Sequence, residues 1–184
     1  MDLPPEQLQM DAMLEGSTLT QYIRGPLSRI DMNFNIVHFT YLLNSKDETI
    51  TTLIDQHGNK YLIKADKQQY IKDMQQYEGI KFTDQAGTKE IAGYKCRRAV
   101  GTMSDGQTFE VYYTTDLVPE NKQYNRRFMN LDGMPLEFEI LTKNGSKMRV
   151  TATKVDLYPI PASYFDVPKS GYKIVSQQEI QNMQ

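Results

Sequence analysis

Residues 29–36 read RIDMNFNI, and this short stretch decides the class of fold. Its apolar side chains recur at every second position and alternate with polar ones: Ile30, Met32, Phe34 and Ile36 against Arg29, Asp31, Asn33 and Asn35. Because successive side chains of a β-strand point to opposite faces, this alternation predicts a half-buried strand. We expect it to continue, with less contrast, to about Leu43.

Similar extended segments follow along most of the chain, separated by turn-forming residues. Gly25-Pro26, Gln56–Asn59, Ser104–Gly106 and Asn144-Gly145 are the expected turns. The strands are expected at about 19–24, 49–55, 60–64, 80–84, 94–103, 108–115, 135–143 and 147–157. The pattern predicts an α+β fold with one strongly curved, open antiparallel sheet of about eight to eleven strands.

Helical periodicity appears mainly in one place. After Asp66, which forms a capping-box-like start with Gln69, we predict a helix over about 67–77 with Tyr70, Ile71, Met74 and Tyr77 on its apolar face. This helix is expected to cover the concave face of the sheet. A helical turn is expected within 119–130, Tyr164, Phe165 and Val167 are expected in the core, and Ser176 with Glu179 predicts a short C-terminal helix.

Length and composition exclude several classes of protein. The 184 residues fit a single domain, 11–184, after a flexible tail, 1–10, that contains Pro4 and Pro5. A net charge of −2 without a basic segment argues against nucleic-acid binding. The single cysteine, Cys96, rules out an intrachain disulfide, and no apolar run is long enough for a membrane-spanning helix.

Few residues suggest catalysis or metal binding. His38 and His57 fall in different elements, and neither belongs to a metal-binding motif. Cys96 lies between basic residues, which can activate a thiol, but we expect it to be a buried apolar residue. Glu137 and Glu139 share a strand face, a spacing suited to paired-carboxylate chemistry or Ca²⁺, and also to an ordinary solvent-facing strand, which we expect. The sequence therefore predicts no enzyme, no catalytic residue, no metal and no cofactor.

The remaining candidate is the apolar face of the sheet. Its large side chains are expected to line one interior, which is either a cavity suited to an acyl chain or a packed core. The predicted ligand-binding residues are Tyr22, Met32, Phe34, Ile36, Tyr94, Phe109, Val111, Tyr113, Phe138 and Ile140.

Five segments in the second half carry a family resemblance. They read KEIAGYKCRRAVG (89–101), FEVYYTTDL (109–117), FMNLDGMPLEFEI (128–140), VTATKVD (150–156) and ASYFDVPKSGYKI (162–174). Their order resembles uncharacterised bacterial envelope proteins of the domain-of-unknown-function and GLPGLI type. Those proteins have a predicted architecture like that of the LolA/LolB lipoprotein carriers.

The resemblance implies a half-barrel whose helices cover its mouth, without enzyme activity. It also implies a periplasmic or outer-membrane-associated protein, with the signal sequence removed from this chain; the polar start is also compatible with a cytosolic terminus. The expected function is non-catalytic binding of a lipid, a lipoprotein acyl chain or another apolar ligand. The alternative is a protein–protein interaction module of the envelope with a filled core. Membrane contact is expected to be peripheral, or through a lipid anchor that this chain does not contain.

Overall fold

A computed structural model describes residues 14–141 and 147–181 of the chain. Within these residues eleven strands form two open sheets, and the helices are few and short. The expected mostly antiparallel β architecture is confirmed, but the strands are divided between two sheets where the sequence suggested one. The predicted tail at 1–10 and the predicted turn at Asn144-Gly145 lie outside the described residues.

The first sheet has the order β1-β2-β3-β4-β5-β11. Neighbours from β1 to β5 pair antiparallel, whereas β11 pairs parallel with β5. Its hairpin between β4 and β5 turns at His57 and Gly58, with φ of 51° and 82°. Two successive positive φ values are typical of the type I′ turn, which matches the twist of paired strands. The strands are β1 (Thr18–Arg24), β2 (Leu27–Asn33), β3 (Val37–Asn44), β4 (Thr49–Gln56), β5 (Asn59–Ala65) and β11 (Lys173–Ile174).

The second sheet has the order β10-β9-β8-β7-β6, and every neighbouring pair is antiparallel. A register shift between Tyr112 and Tyr113 of β8 breaks the regular pairing with β9. Such a bulge changes which way the residues beside it point. The strands are β6 (Lys81–Ile91), β7 (Tyr94–Thr102), β8 (Thr108–Thr114), β9 (Met134–Leu141) and β10 (Lys147–Thr151).

The main helix, α1 (Lys67–Glu78), begins where the sequence predicts. The Asp66 carboxylate accepts the Gln69 backbone N–H at 2.8 Å and thereby caps the first turn. Tyr70 and Met74 are buried, but Ile71, which the sequence assigned to the apolar face, is exposed. The short C-terminal helix α2 (Gln177–Gln181) is confirmed together with its Ser176–Glu179 capping box.

Short 3₁₀ turns complete the architecture: η1 (Lys122–Tyr124), η2 (Arg126–Phe128) and η3 (Ala162–Phe165). The first two confirm the helical turn expected within 119–130. In η3, Phe165 is buried as predicted, whereas Tyr164 is exposed.

Three predicted strand boundaries are wrong. The stretch from 29 to 43 is two strands, because the chain turns at 34–36 and the Phe34 N–H donates to the Val37 carbonyl. Strand β6 runs on to Ile91, since a bulge between Gln85 and Thr88 lets it keep pairing with β7. Strand β10 ends at Thr151, before the predicted 157.

The described chain divides into two compact units. Unit 1 takes in residues 14–70 and 160–181, and unit 2 takes in 71–141 and 147–159. The first sheet lies in unit 1 and the second in unit 2, and the division falls within α1. No helix of the described residues has the length and hydropathy to cross a membrane.

Candidate functional site

The ten predicted ligand-binding residues are shared between the two units. Tyr22, Met32, Phe34 and Ile36 belong to unit 1, and the other six belong to unit 2. We therefore describe each group within its own unit.

In unit 1, Tyr22 lies on the opposite sheet face from Met32. The register pairs Tyr22 with Arg29 and pairs Met32 with Leu19, and partners across antiparallel strands share a face. The expectation that Tyr22 and Met32 face one interior is therefore wrong. Tyr22 instead makes an edge-to-face contact with Tyr164 at 5.5 Å between ring centroids.

The Tyr22 face of this sheet carries one buried part of the core of unit 1, and Leu43, Ile50 and Ile54 are buried on the opposite face. Leu42, Leu53 and Leu62 form a buried cluster, against which Val167 and Tyr172 pack. Arg29 binds the Asp31 carboxylate at 2.8 Å and also donates to the Tyr164 carbonyl at 2.8 Å. These contacts fix the returning segment near η3 onto the sheet.

The opposite face of the same sheet carries a set of large side chains that we call the aromatic patch. Its members are half-buried, and two register pairs join them, Ile30 with Tyr41 and Met32 with Phe39. Phe39 contacts Phe34 edge-to-face at 6.2 Å between centroids and stacks on Tyr41 at 6.4 Å. The patch thus consists of Ile30, Met32, Phe34, Phe39 and Tyr41, while Ile36 in the adjoining turn is exposed.

In unit 2, the predicted residues also divide between two faces. Phe109, Val111 and Tyr113 share a face of β8 and are buried, with Phe138 paired opposite Val111. Tyr94 lies on the other face, where it packs against Ile91, Cys96 and Leu136. The expectation that Tyr94 shares the Val111 face is wrong, because Ala99, five residues along β7, is the partner of Val111.

The Phe109 face is a packed cluster of phenylalanine rings. Phe128 of η2 contacts Phe109 at 6.3 Å and Phe138 at 4.9 Å between centroids. The Phe109 ring also lies directly over Gly101, where a Cβ atom would come within 2.4 Å of it. Of the six residues of this unit that were predicted to bind a ligand, Phe109, Val111 and Tyr113 are buried in the core, and Tyr94, Phe138 and Ile140 are half-buried.

The other face of the second sheet bears a row of alternating charges. Glu137 is buried, although the sequence predicted a solvent-facing side chain. Lys89 donates to one of its carboxylate oxygens at 2.5 Å and Thr151 to the other at 2.9 Å. On the same side of the sheet, Ala152 and Val155 pack against the cluster of Ile91, Cys96 and Leu136. The row contains Lys89, Arg98, Glu110, Glu137, Glu139, Lys147 and Arg149.

The chemistry of this row is ion pairing between ionised groups. Burial opposes ionisation of Glu137, but hydrogen bonds from Lys89 and Thr151 outweigh it, so its pKa is lowered. Burial likewise opposes ionisation of Glu139, and the hydrogen bond from Lys147 helps to lower its pKa too. An acid–base pair needs two pKa values pushed apart, whereas both are lowered here.

The surroundings of the other candidate residues, Cys96, His38 and His57, indicate structural roles. Cys96 is fully buried, as predicted, and burial raises the pKa of its thiol. His38 lies 3.8 Å from Asp31, and His57 forms the β4–β5 turn. No group of three or more metal-binding side chains occurs in residues 14–141 and 147–181.

One polar group was missed by the sequence analysis. The Arg127 guanidinium lies over the Phe109 ring, 3.9 Å from its centroid, at the edge of the phenylalanine cluster. The only signal in the sequence is the pair Arg126-Arg127 before Phe128, in a segment without strand or helix periodicity.

Comparison with known proteins gives little. No family model matches the chain, and no curated protein matches it. A solved structure described as "Structure of PNGF-II in C2 space group" is similar, with a TM-score of 0.44 and 17% sequence identity. The similarity covers 91% of this chain and 32% of that chain, so this chain spans less than a third of its length. A likeness this weak assigns neither fold family nor function.

Proposed function

We propose that this chain is a non-catalytic binding protein of the bacterial envelope that holds a lipid, a lipoprotein acyl chain or another apolar ligand. The observation that carries the proposal is the aromatic patch of unit 1. Four of its five large apolar side chains share one sheet face, Phe34 packs on Phe39 from the adjoining turn, and all five are half-buried. Contiguous apolar surface of this kind marks binding sites more often than isolated apolar residues do.

The location and fold family belong to the same proposal. The five segments that resemble GLPGLI-type envelope proteins support a periplasmic or outer-membrane-associated protein. They also support a LolA-like half-barrel with helices over its concave face. Two open, mostly antiparallel sheets are compatible with such an architecture.

The experiment combines native mass spectrometry with probe displacement. Protein purified from a bacterial membrane extract is expected to retain an apolar ligand, and that ligand should displace the neutral fluorophore N-phenyl-naphthylamine. Phe39→Ala should weaken probe binding about fivefold, because covering the exposed part of a half-buried phenylalanine contributes roughly 1 kcal/mol. Retention of no lipid together with non-saturable probe binding would refute the proposal.

Tyr22 supplies the matched control. It is also an aromatic residue of the first sheet, and it was also predicted to bind ligand, but it lies on the opposite face from Met32. Tyr22→Ala should leave probe affinity unchanged. Circular dichroism on both variants separates loss of binding from loss of fold.

A second candidate, an envelope interaction module with a filled core, has its own support in unit 2. Phe109, Val111 and Tyr113 are buried there, while Leu157 and Tyr158 are 73% and 83% exposed and adjacent in the chain. Crosslinking in envelope fractions tests this candidate. A discrete crosslinked partner that is lost in L157S/Y158S but kept in Phe39→Ala would favour it over ligand binding.

A further inference from the structure

The segment that holds Arg127 consists of two adjoining 3₁₀ turns in unit 2. Each turn begins with an asparagine whose side-chain oxygen caps it: Asn121 accepts from the Gln123 N–H, and Asn125 accepts from the Arg127 N–H. The two turns are in contact with each other. Caps of this type fix the backbone, so the position of Arg127 is set by the fold.

The hydrogen-bonding of the Arg127 guanidinium is incomplete. Its Nε and Nη2 atoms are shielded from solvent, and neither donates a hydrogen bond to any residue in the described ranges. These two N–H groups lie on the same edge of the guanidinium plane. That edge can donate two parallel hydrogen bonds to the two oxygens of a carboxylate.

The neighbouring residue Arg126, in contrast, has a carboxylate partner within the chain. Arg126 Nη1 binds the Asp73 carboxylate of α1 at 2.9 Å, and its guanidinium also lies 5.6 Å from the Tyr77 ring centroid. The two adjacent arginines of this short turn therefore differ in their pairing. A carboxylate from the chain pairs with Arg126 but not with the Nε–Nη2 edge of Arg127.

The surroundings of Arg127 favour an anion. Asn121 Nδ2 is a second shielded donor without an acceptor among the described residues, so this segment offers a surplus of donors. A buried cation costs free energy until an anion or hydrogen-bond acceptors compensate it. In agreement, burial lowers the pKa of Arg127, against the opposing influence of Tyr77 and Glu139.

We propose that Arg127 anchors a binding site for a ligand carboxylate, with the Phe109 ring as the floor beneath the guanidinium. A planar carboxylate matches the geometry of the Nε–Nη2 edge, and the guanidinium that would bind it is held over the Phe109 ring. The carboxylate site lies in unit 2 and the aromatic patch lies in unit 1. The proposal of a carboxylate site and the proposal of an apolar ligand can therefore be refuted independently.

The test follows the arginine Nε–H signals by NMR while sodium acetate and then sodium benzoate are added at constant ionic strength. The Arg127 signal should shift saturably, and the Arg126 signal should stay in place.

Two conservative variants make the test specific. Arg127→Lys keeps the charge but loses the two-pronged edge, so carboxylate affinity should fall at least tenfold, which corresponds to about 1.4 kcal/mol. Arg126→Lys should bind acetate and benzoate as the natural chain does. Should Arg127→Lys fail to fold, the titration of the natural chain still decides.

Three outcomes overturn the proposal. The first is an Arg127 signal that neither carboxylate shifts saturably. The second is an equal response of Arg126 and Arg127, which indicates nonspecific ion binding. The third is saturation by inorganic phosphate without saturation by either carboxylate, which rejects the assigned ligand class.

Discussion

The Lys89–Glu137 pair offers a sharp test of the charged row, because its two partners are buried to different extents. The Glu137 side chain is 7% exposed and that of Lys89 is 35% exposed. Removing one partner leaves the other charge unpaired. The resulting loss in the free energy of unfolding depends on how well water can solvate that remaining charge. The two single substitutions should therefore differ in their effect on the free energy of unfolding.

Lys89→Met should be the more damaging change. It leaves an ionised carboxylate in a buried place, where breaking a pair costs about 3–5 kcal/mol. Glu137 keeps the Thr151 hydroxyl at 2.9 Å and Arg149 at 3.9 Å, so we expect about 3 kcal/mol. Glu137→Gln leaves a lysine whose ammonium group water can still solvate. It should lower the free energy of unfolding by about 1.5 kcal/mol, the lower end of the range for a hydrogen bond to a charged group.

The assay is urea unfolding followed by tyrosine fluorescence, which suits a chain with 12 tyrosines and no tryptophan. A double variant completes the thermodynamic cycle, and its loss should be smaller than the sum of the single losses by about 1–2 kcal/mol. Equal losses, or a larger loss in Glu137→Gln, would contradict the argument from burial.

The same pair predicts how stability depends on pH. Because the folded pKa of Glu137 is lowered from 4.5, its contribution is complete above that value and is lost as the pH falls through the folded pKa. Lys89→Met removes the main cause of that lowering. The stability difference between the natural chain and Lys89→Met should therefore shrink in acid, and a difference that stays constant down to the lowest pH would contradict this.

Three further predictions concern single residues. Gly133→Ala should lower the free energy of unfolding in urea by about 3 kcal/mol, because the added Cβ would lie 2.2 Å from the Thr114 carbonyl oxygen. In the control Gly79→Ala the added Cβ would meet its nearest atom at 3.8 Å, so the free energy of unfolding should change by no more than about 0.5 kcal/mol. Equal losses in the two variants would contradict this. Cys96 should react with iodoacetamide only as fast as the protein opens, since its thiol is buried with a raised pKa, and rapid labelling of the native protein at neutral pH would refute this. Asp66→Ala should destabilise the protein by about 1 kcal/mol in thermal unfolding through loss of the α1 cap, and an unchanged midpoint would mean that the cap contributes nothing.

Features with a local cause were predictable from the sequence. The β4–β5 hairpin depends on His57 and Gly58, which adopt positive φ within a few residues of the strands they connect. The start of α1 depends on Asp66 and the residue three positions later. In both cases the residues that determine the structure lie next to the structure they determine.

The turn between β2 and β3 shows where periodicity fails. Phe34, Asn35 and Ile36 continue the apolar–polar alternation through the turn, and none of them is Gly or Pro. An alternating pattern reports which side chains share a face but does not mark where a strand reverses. The face of Tyr22 was misassigned for a related reason, since it depends on the pairing register set by the Gly25-Pro26 turn.

The surroundings of Glu137 depend on contacts distant in sequence. Its partner Lys89 lies 48 positions away and meets it only because β6 continues past its bulge to Ile91. A shorter β6, as the sequence suggested, would have left Glu137 without that lysine. The correct length of one strand therefore decides whether this carboxylate is solvated or ion-paired.

The same distinction explains why the sequence leaves open whether an apolar face binds ligand or fills a core. Phe39 and Phe109 both occupy apolar positions of alternating strands, and nothing within either strand separates them. Phe109 is buried because Phe128, from a short turn outside any strand, contacts it, and because Gly101 leaves room for its ring. Phe39 is half-buried, against Tyr41 of its own strand and Phe34 of the adjoining turn, although its strand partner Ile54 is buried. Short segments without periodicity thus help to decide which apolar side chains are covered, and these are the segments that pattern analysis describes least well.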